Sequence, residues 1–196
     1  LAVNVTLSRD GIGIVATSAA QYVDVVNASY AHWKAVLPPQ PGSADPHTVA
    51  LSCSGCPGGE GVVRSLHDVL IGDVYVCSGQ SNMWLPLQYT FSRNKTVAAI
   101  TKGKYDNIRL MAGDSQQSAF HAWKTAKQSI ADGNESSPSY SLFKFSAACF
   151  YFAQELTDLL RSDADGDGVV PLGMINTAIG GSMVRSRSTD WMPHLH

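Results

Sequence analysis

Ser81 stands at the centre of Gly79-Gln80-Ser81-Asn82-Met83, a small polar turn entered directly from the apolar, β-branched run Asp73-Val74-Tyr75-Val76-Cys77. A hydroxyl is a weak nucleophile until a base removes its proton, and a tight strand-to-helix turn holds it clear of the backbone where a base can reach it. The carboxyl end of a strand in an open α/β sheet is also where ligands and reacting groups collect. Ser81 is therefore the candidate nucleophile for an acyl transfer. The oxyanion that such an attack creates needs aimed donors. One is the Ser81 N–H. A second is expected from Ile179-Gly180-Gly181-Ser182, where glycines let the backbone approach a ligand with no Cβ in the way. Gly180-Gly181 could equally do no more than end a strand, but two special turns at equivalent strand ends favour the site.

These turns meet only if the right elements carry them. From about residue 66 the pattern alternates. A strand is expected over residues 69–77, a helix within 94–102 and a second strand over 107–111. Residues 113–138 are polar and irregular, with Phe120 and Trp123 as aromatic anchors. Leu142, Phe145, Cys149, Phe152, Leu156 and Leu159 then recur at spacings of three and four, which predicts a helix with a wide apolar face. A third strand covers 172–178. Strand, helix, strand, helix, strand implies a parallel sheet with right-handed crossovers, whose carboxyl ends lie side by side. Residues 1–66 read differently. Short runs at 3–7, 22–26, 32–37 and 48–52 are separated by Asp10-Gly11, Pro38-Pro39-Gln40-Pro41-Gly42 and Pro57-Gly58-Gly59. The expectation is a β-rich, sandwich-like module over 1–66, too small to close its own core, followed by an α/β domain over 67–196.

Bulk properties narrow the partners. With 14 basic and 16 acidic residues in 196, the net charge is −2, which gives no reason to expect nucleic acid or an anionic membrane. Hydrophobic content of 44% against 15% charged residues describes a globular chain. No run approaches the roughly 18 apolar residues of a membrane span. The chain starts at Leu1 with no signal peptide, so a processed or truncated product is expected. Four N-glycosylation triplets, at Asn4, Asn27, Asn94 and Asn134, favour a secretory route, hence a secreted or lysosomal location. Cys53-Ser-Gly-Cys56 has half the spacing of a zinc site, but no second pair completes one, so a local disulfide or two inert thiols is expected. Cys77 and Cys149 read as small buried hydrophobes. Asp163-Ala-Asp165-Gly-Asp167-Gly168 opens like a calcium loop, yet position twelve is Met174 rather than glutamate, so a polar helix-to-strand loop is the expectation. No metal and no cofactor is expected.

The serine turn is not the Gly-x-Ser-x-Gly elbow of the α/β-hydrolases, because Met83 stands where the second glycine belongs. It resembles the Gly-Gln-Ser-Asn-Met signature of the sialate O-acetylesterases, a branch of the SGNH-type hydrolases. The resemblance extends to His67-Asp68-Val69-Leu70, Gly72-Asp73-Val74, the segment from Leu142-Phe-Lys-Phe to Cys149-Phe-Tyr-Phe, Pro171-Leu-Gly-Met-Ile175 with Gly180-Gly181-Ser182, and the stretch from Trp33 to Pro41 with Pro-His47-Thr. It implies a three-layer SGNH or flavodoxin-like parallel sheet after the β-rich segment. It also implies Ser81 as nucleophile, the Gly180-Gly181 turn in the oxyanion hole, and removal of acetyl groups from sugar hydroxyls, typically of sialic acid. Gln80 and Asn82, flanking the serine, are grouped with that turn as oxyanion or substrate-binding residues.

Two departures stand out. The family's turn continues through Glu-Ala-Trp, whereas here it runs Ser182-Met-Val-Arg185-Ser-Arg187, so cationic side chains replace an aromatic wall. Arg185 or Arg187 is expected to hold an anionic sugar, since a guanidinium fork matches a carboxylate; a solvated basic loop is the other reading. The family's later Gln-Gly-Glu segment and Asp-x-x-His pair do not occur in these 196 residues. None of His32, His47, His67, His121, His194 and His196 sits in such a pattern. The expectation is a piece of an esterase that lacks its own Asp/His base, with the carboxyl-terminal remainder of the same enzyme as partner. A deacetylase of other polysaccharides and a non-catalytic glycan-binding fragment are the alternatives.

Overall fold

A computed structural model of the chain describes residues 2–27, 30–55, 61–112, 122–131, 141–163 and 169–181. They form a mixed α/β protein that divides into two compact units, Leu1–Ile71 and Gly72–His196. No helix among the described residues is long and apolar enough to cross a membrane.

The first unit is all β. Strands β1 (Ala2–Arg9), β2 (Gly13–Ala19), β5 (Ser43–Ser54) and β6 (Gly61–Ile71) make an antiparallel sheet in the order β2-β1-β5-β6, and β3 (Gln21–Asn27) pairs with β4 (Tyr30–Lys34). Alternation in β1 turns Val5 and Leu7 inward, where they are buried along with Ala16 and Cys53. Strand β2 was not expected, because Ala, Ser and Thr give it little apolar contrast. Most of β6 was not expected either: Arg64, Ser65, Leu66, His67 and Asp68 are all exposed, so no buried face alternates along it.

The second unit holds a four-stranded sheet in the order β7-β10-β8-β9, built from β7 (Asp73–Cys77), β8 (Ile108–Ala112), β9 (Lys124–Thr125) and β10 (Leu172–Asn176). β10 lies between β7 and β8, parallel to both, and β9 runs antiparallel at the edge. Helices α1 (Ser81–Trp84), α2 (Arg93–Thr101), α3 (Ala126–Ala131) and α4 (Ala147–Asp163) complete it. One sheet face supplies Cys77, Ile108, Leu110, Ala112, Leu172 and Met174 to a core shared with Ile100, Ala126, Phe150 and Ala153 of the helices. The opposite face carries Val74 and Val76, which are 59% and 65% exposed.

Three sequence expectations need correction. The run 69–77 is not one strand: it breaks at Gly72 between β6 and β7. A Cβ on Gly72 would lie 2.1 Å from the Pro171 carbonyl oxygen, so only glycine lets the chain pass there. Residues 113–138 are not wholly irregular, since they include β9 and α3. The helix in 142–163 starts only at Ala147, after a 3-10 turn over Leu142–Lys144. With Leu142 and Phe145 outside the helix, its core-facing side is defined by Cys149, Phe150, Ala153 and Thr157, which are buried, while Phe152 and Leu159 are exposed. Phe152 instead packs edge-on against Tyr75, with ring centroids 5.1 Å apart.

Asp158 of α4 accepts hydrogen bonds from Lys104 Nζ (2.8 Å) and Tyr105 Oη (3.1 Å). Partial burial pushes its carboxyl up, but those two bonds outweigh it and the pKa lies below the usual value. The bond to Asp158, then that to Tyr105, raises Lys104. The carboxylate therefore stabilises the fold above the ordinary Asp value of about 4 and loses that contribution as pH falls through its depressed value. The ammonium stabilises below about 10.4 and loses it as pH rises through its raised value. Both side chains are more than a third exposed, at 46% and 38%, so solvent screens the pair. Asp158→Asn is expected to cost at most about 1 kcal/mol at neutral pH. Urea midpoints of the two proteins should converge as the pH is lowered from 5 towards about 2. A gap that persists there would contradict this.

Candidate active site

Ser81 is the first residue of α1, where helical N–H groups lack an intrahelical partner, and it is exposed. The entry to it is shaped by Gly79 at φ 147°, a conformation that side chains strain to adopt. A Cβ on Gly79 would also lie 3.1 Å from Met83 Cβ, so the turn closes tightly over its own helix. The Gln80 carbonyl accepts the N–H groups of Met83 (2.8 Å) and Trp84 (3.0 Å), which locks the single helical turn that presents Ser81.

The second turn comes to the same rim. Asn176 of β10 is level with Cys77 of β7 on one side and Ala112 of β8 on the other. Pairing then continues beyond the strands: Thr177 N–H donates to the Cys77 carbonyl and Ile179 N–H to the Gly79 carbonyl, both at 2.9 Å. Gly180 follows the second of these bonds by one residue and Ser81 by two. The buried Asn176 shapes the connection, its Oδ1 accepting the Ala178 N–H at 3.1 Å. Gly180 and Gly181 are exposed, as are Gln80 and Asn82 beside the serine.

Helix α4 holds the serine turn from below. Cys77 and Cys149 form a disulfide with Cα atoms 5.9 Å apart, so they are not the free buried thiols expected from the sequence. Cys53 is also disulfide-bonded, and Cys56 lies outside the described residues. Ser146 caps α4 by accepting the Cys149 N–H at 3.2 Å, and its hydroxyl donates to the Met83 carbonyl. Ala147 N–H donates to the Leu85 carbonyl and Leu87 N–H to the Phe145 carbonyl, both at 2.9 Å. Strand and helix thus grip the Ser81 turn on both sides.

Sequence reasoning missed Ser146, Asn176 and Trp84. A serine just before an apolar helical run is a legible cap, and an asparagine closing an apolar strand is a legible oddity; Trp84 had no such signal. The remaining candidates are scattered. Arg185, Arg187, His121, His194 and His196 lie outside the described residues, as does residue 164–168 of the acidic loop. No histidine occurs among the described residues of the unit that holds Ser81. In the other unit, His67 meets Ser65 Oγ (2.8 Å) and Thr48 Oγ1 (3.3 Å), and buried His47 meets the Asp45 carbonyl (2.8 Å). Among the glycosylation triplets Asn4 and Asn94 are exposed, Asn27 ends β3, and Asn134 is outside the described residues. Among the described residues no group of three or more His, Cys, Asp or Glu could hold a metal ion.

No family model matches the chain. Curated relatives do. The chain is 29% identical over 131 residues to the sialate O-acetylesterase of Homo sapiens and 27% over 127 residues to that of Pongo abelii, in each case across 63% of this chain and 22% of the relative. The Mus musculus protein of the same name is 26% identical over 122 residues. A solved carbohydrate acetylesterase from Xanthomonas citri superimposes with a TM-score of 0.57 at 23% identity, covering 93% of this chain and 35% of that one. The chain therefore spans about a fifth of the length of the curated relatives it matches. The similarity to proteins named sialate O-acetylesterase is thus one of part of this chain to part of each relative.

Proposed function

We propose that this chain carries the nucleophile of a carbohydrate O-acetylesterase whose substrates are O-acetyl esters of sialic acids. The observation that carries the reading is the backbone pairing that runs past β7 and β10 to Gly79 and Ile179, bringing the Ser81 and Gly180-Gly181 turns to one rim. A base takes the Ser81 proton as Oγ adds to the acetyl carbonyl. N–H donors of Ser81 and the glycine turn, with Gln80 and Asn82 beside them, hold the oxyanion. Collapse expels the sugar hydroxyl, which takes the proton, and leaves acetyl-Ser81; water then attacks, releases acetate and restores the serine. Arg185 or Arg187 pairs with the sialic acid carboxylate.

The base comes from polypeptide outside the described residues. We assign it to the carboxyl-terminal remainder of the same enzyme, a reading supported by the greater length of the relatives. The same polypeptide would supply a second helical layer over Val74, Val76 and Trp123, since parallel sheets are as a rule covered on both faces. Exposed Asn4 and Asn94 support a secreted or lysosomal glycoprotein. A second reading is acetylesterase action on other polysaccharides.

Acetate release decides between them. The native protein, and this chain with and without the carboxyl-terminal remainder, should be given an O-acetylated sialoside and an acetylated xylan. Release from the sialoside, stronger with the remainder present, is expected. Release from xylan alone supports the second reading, and none from either ester points to a glycan-binding fragment.

A further inference from the structure

Trp84 closes α1 three residues after Ser81, and side chains three apart lie on the same face of a helical turn. Its indole spreads over the other turn: a methyl group on Gly180 would lie 3.4 Å from Trp84 Cε3 and 3.5 Å from Cδ2. The main chain on either side is clamped, the Met83 carbonyl by the Ser146 hydroxyl and the Leu85 carbonyl by Ala147 N–H. Yet the residue is 45% exposed. A large apolar ring whose main chain is held on both sides, facing the Gly180 turn and one helical turn from the nucleophile, is a preformed surface with nearly half its area still facing water.

That surface suits a sugar. One face of a pyranose presents C–H bonds whose hydrogens are slightly positive, and the face of an indole is the negative end of its quadrupole. Stacking removes apolar area from water on both partners and costs little ordering, because the ring is already held. We propose that Trp84 is the platform on which the sugar ring of the ester lies while its acetyl group reaches Ser81. This rests on the reading of Ser81 as a carbohydrate esterase nucleophile and adds to it the residue that selects a sugar over other acetyl esters.

The test measures binding, so that it does not depend on turnover. The methyl glycoside of an O-acetylated sialic acid is titrated by calorimetry into the full native chain bearing Ser81→Ala, which leaves the ester uncleaved. Adding Trp84→Ala should weaken affinity about tenfold, and Trp84→Phe, which keeps a smaller ring, only about threefold. A merely structural tryptophan predicts no such order, and thermal midpoints of both variants report any loss of fold separately. Unchanged affinity in Trp84→Ala, equal losses in the Ala and Phe variants at equal stability, or no binding by the parent protein would overturn the proposal. Labelling of Ser81 by a serine-directed phosphonate in the unsubstituted protein tests the underlying reading by itself. A labelled serine with an indifferent Trp84 leaves the nucleophile standing and removes the platform.

Discussion

Ser81→Ala should abolish acetyl-ester hydrolysis, lowering kcat/KM by roughly a millionfold, the scale seen when a hydrolase loses its nucleophilic serine. The reason is chemical. Without Oγ no acyl-enzyme forms, and only donor positioning remains to assist direct attack by water. Ser81 is exposed at the start of a four-residue helix, so its loss should cost the fold no more than about 0.5 kcal/mol. Activity and stability therefore separate. Steady-state hydrolysis of an acetylated sialoside by the native protein, alongside urea midpoints of parent and variant, checks both halves. Retention of more than a few per cent of the rate would mean that the nucleophile lies elsewhere.

Removing the Cys77–Cys149 disulfide should produce the largest loss of stability. It joins residues separated by 72 positions in sequence. Cross-linking a loop of that length removes conformational freedom from the unfolded chain worth about 4 kcal/mol on the chain-entropy account. The cost will not spread evenly. Cys77 ends the strand that leads into Gly79 and Ser81, and Cys149 lies in the first turn of the helix whose cap, Ser146, holds Met83. The variant with both cysteines changed to alanine should therefore loosen the serine turn before the sheet. Urea unfolding at neutral pH measures the total, and amide exchange at Met83 and Trp84 measures the local part. A change under about 1 kcal/mol would contradict the accounting.

Much of the α/β unit was legible because its chemistry is local. The apolar, β-branched run to Cys77 and the abrupt polar turn after it are properties of adjacent residues, and Ile108–Ala112 and Leu172–Asn176 read as strands from equally local apolar runs. What escaped depends on distant partners. Nothing near Gly72 announces that Pro171 will press against it. Apolar, β-branched residues lie on both sides of Gly72-Asp73, so 69–77 reads as one strand across the point where one sheet ends and another begins. Cys77 and Cys149 read as apolar fillers because their pairing exists only once α4 packs beneath β7. The phase of α4 was misjudged because Leu142 and Phe145 have helical spacing but precede the helix, where they fill the core from a 3-10 turn and an extended residue. At the site, Ser81 and the glycine turn were read from sequence, whereas Trp84 gains meaning only from lying on Gly180. No candidate base of the histidine type could be read there, since none of the described residues of that unit is a histidine.

Covalent capture is the shortest route to the central claim. A serine-directed fluorophosphonate is added to the complete native protein, and the modified peptide is identified by mass spectrometry. One adduct on the Oγ of Ser81, prevented by prior incubation with an acetylated sialoside, is the expected result. Modification of another serine, or none under conditions where acetate is released, would show that the hydroxyl at the end of β7 does not attack the ester.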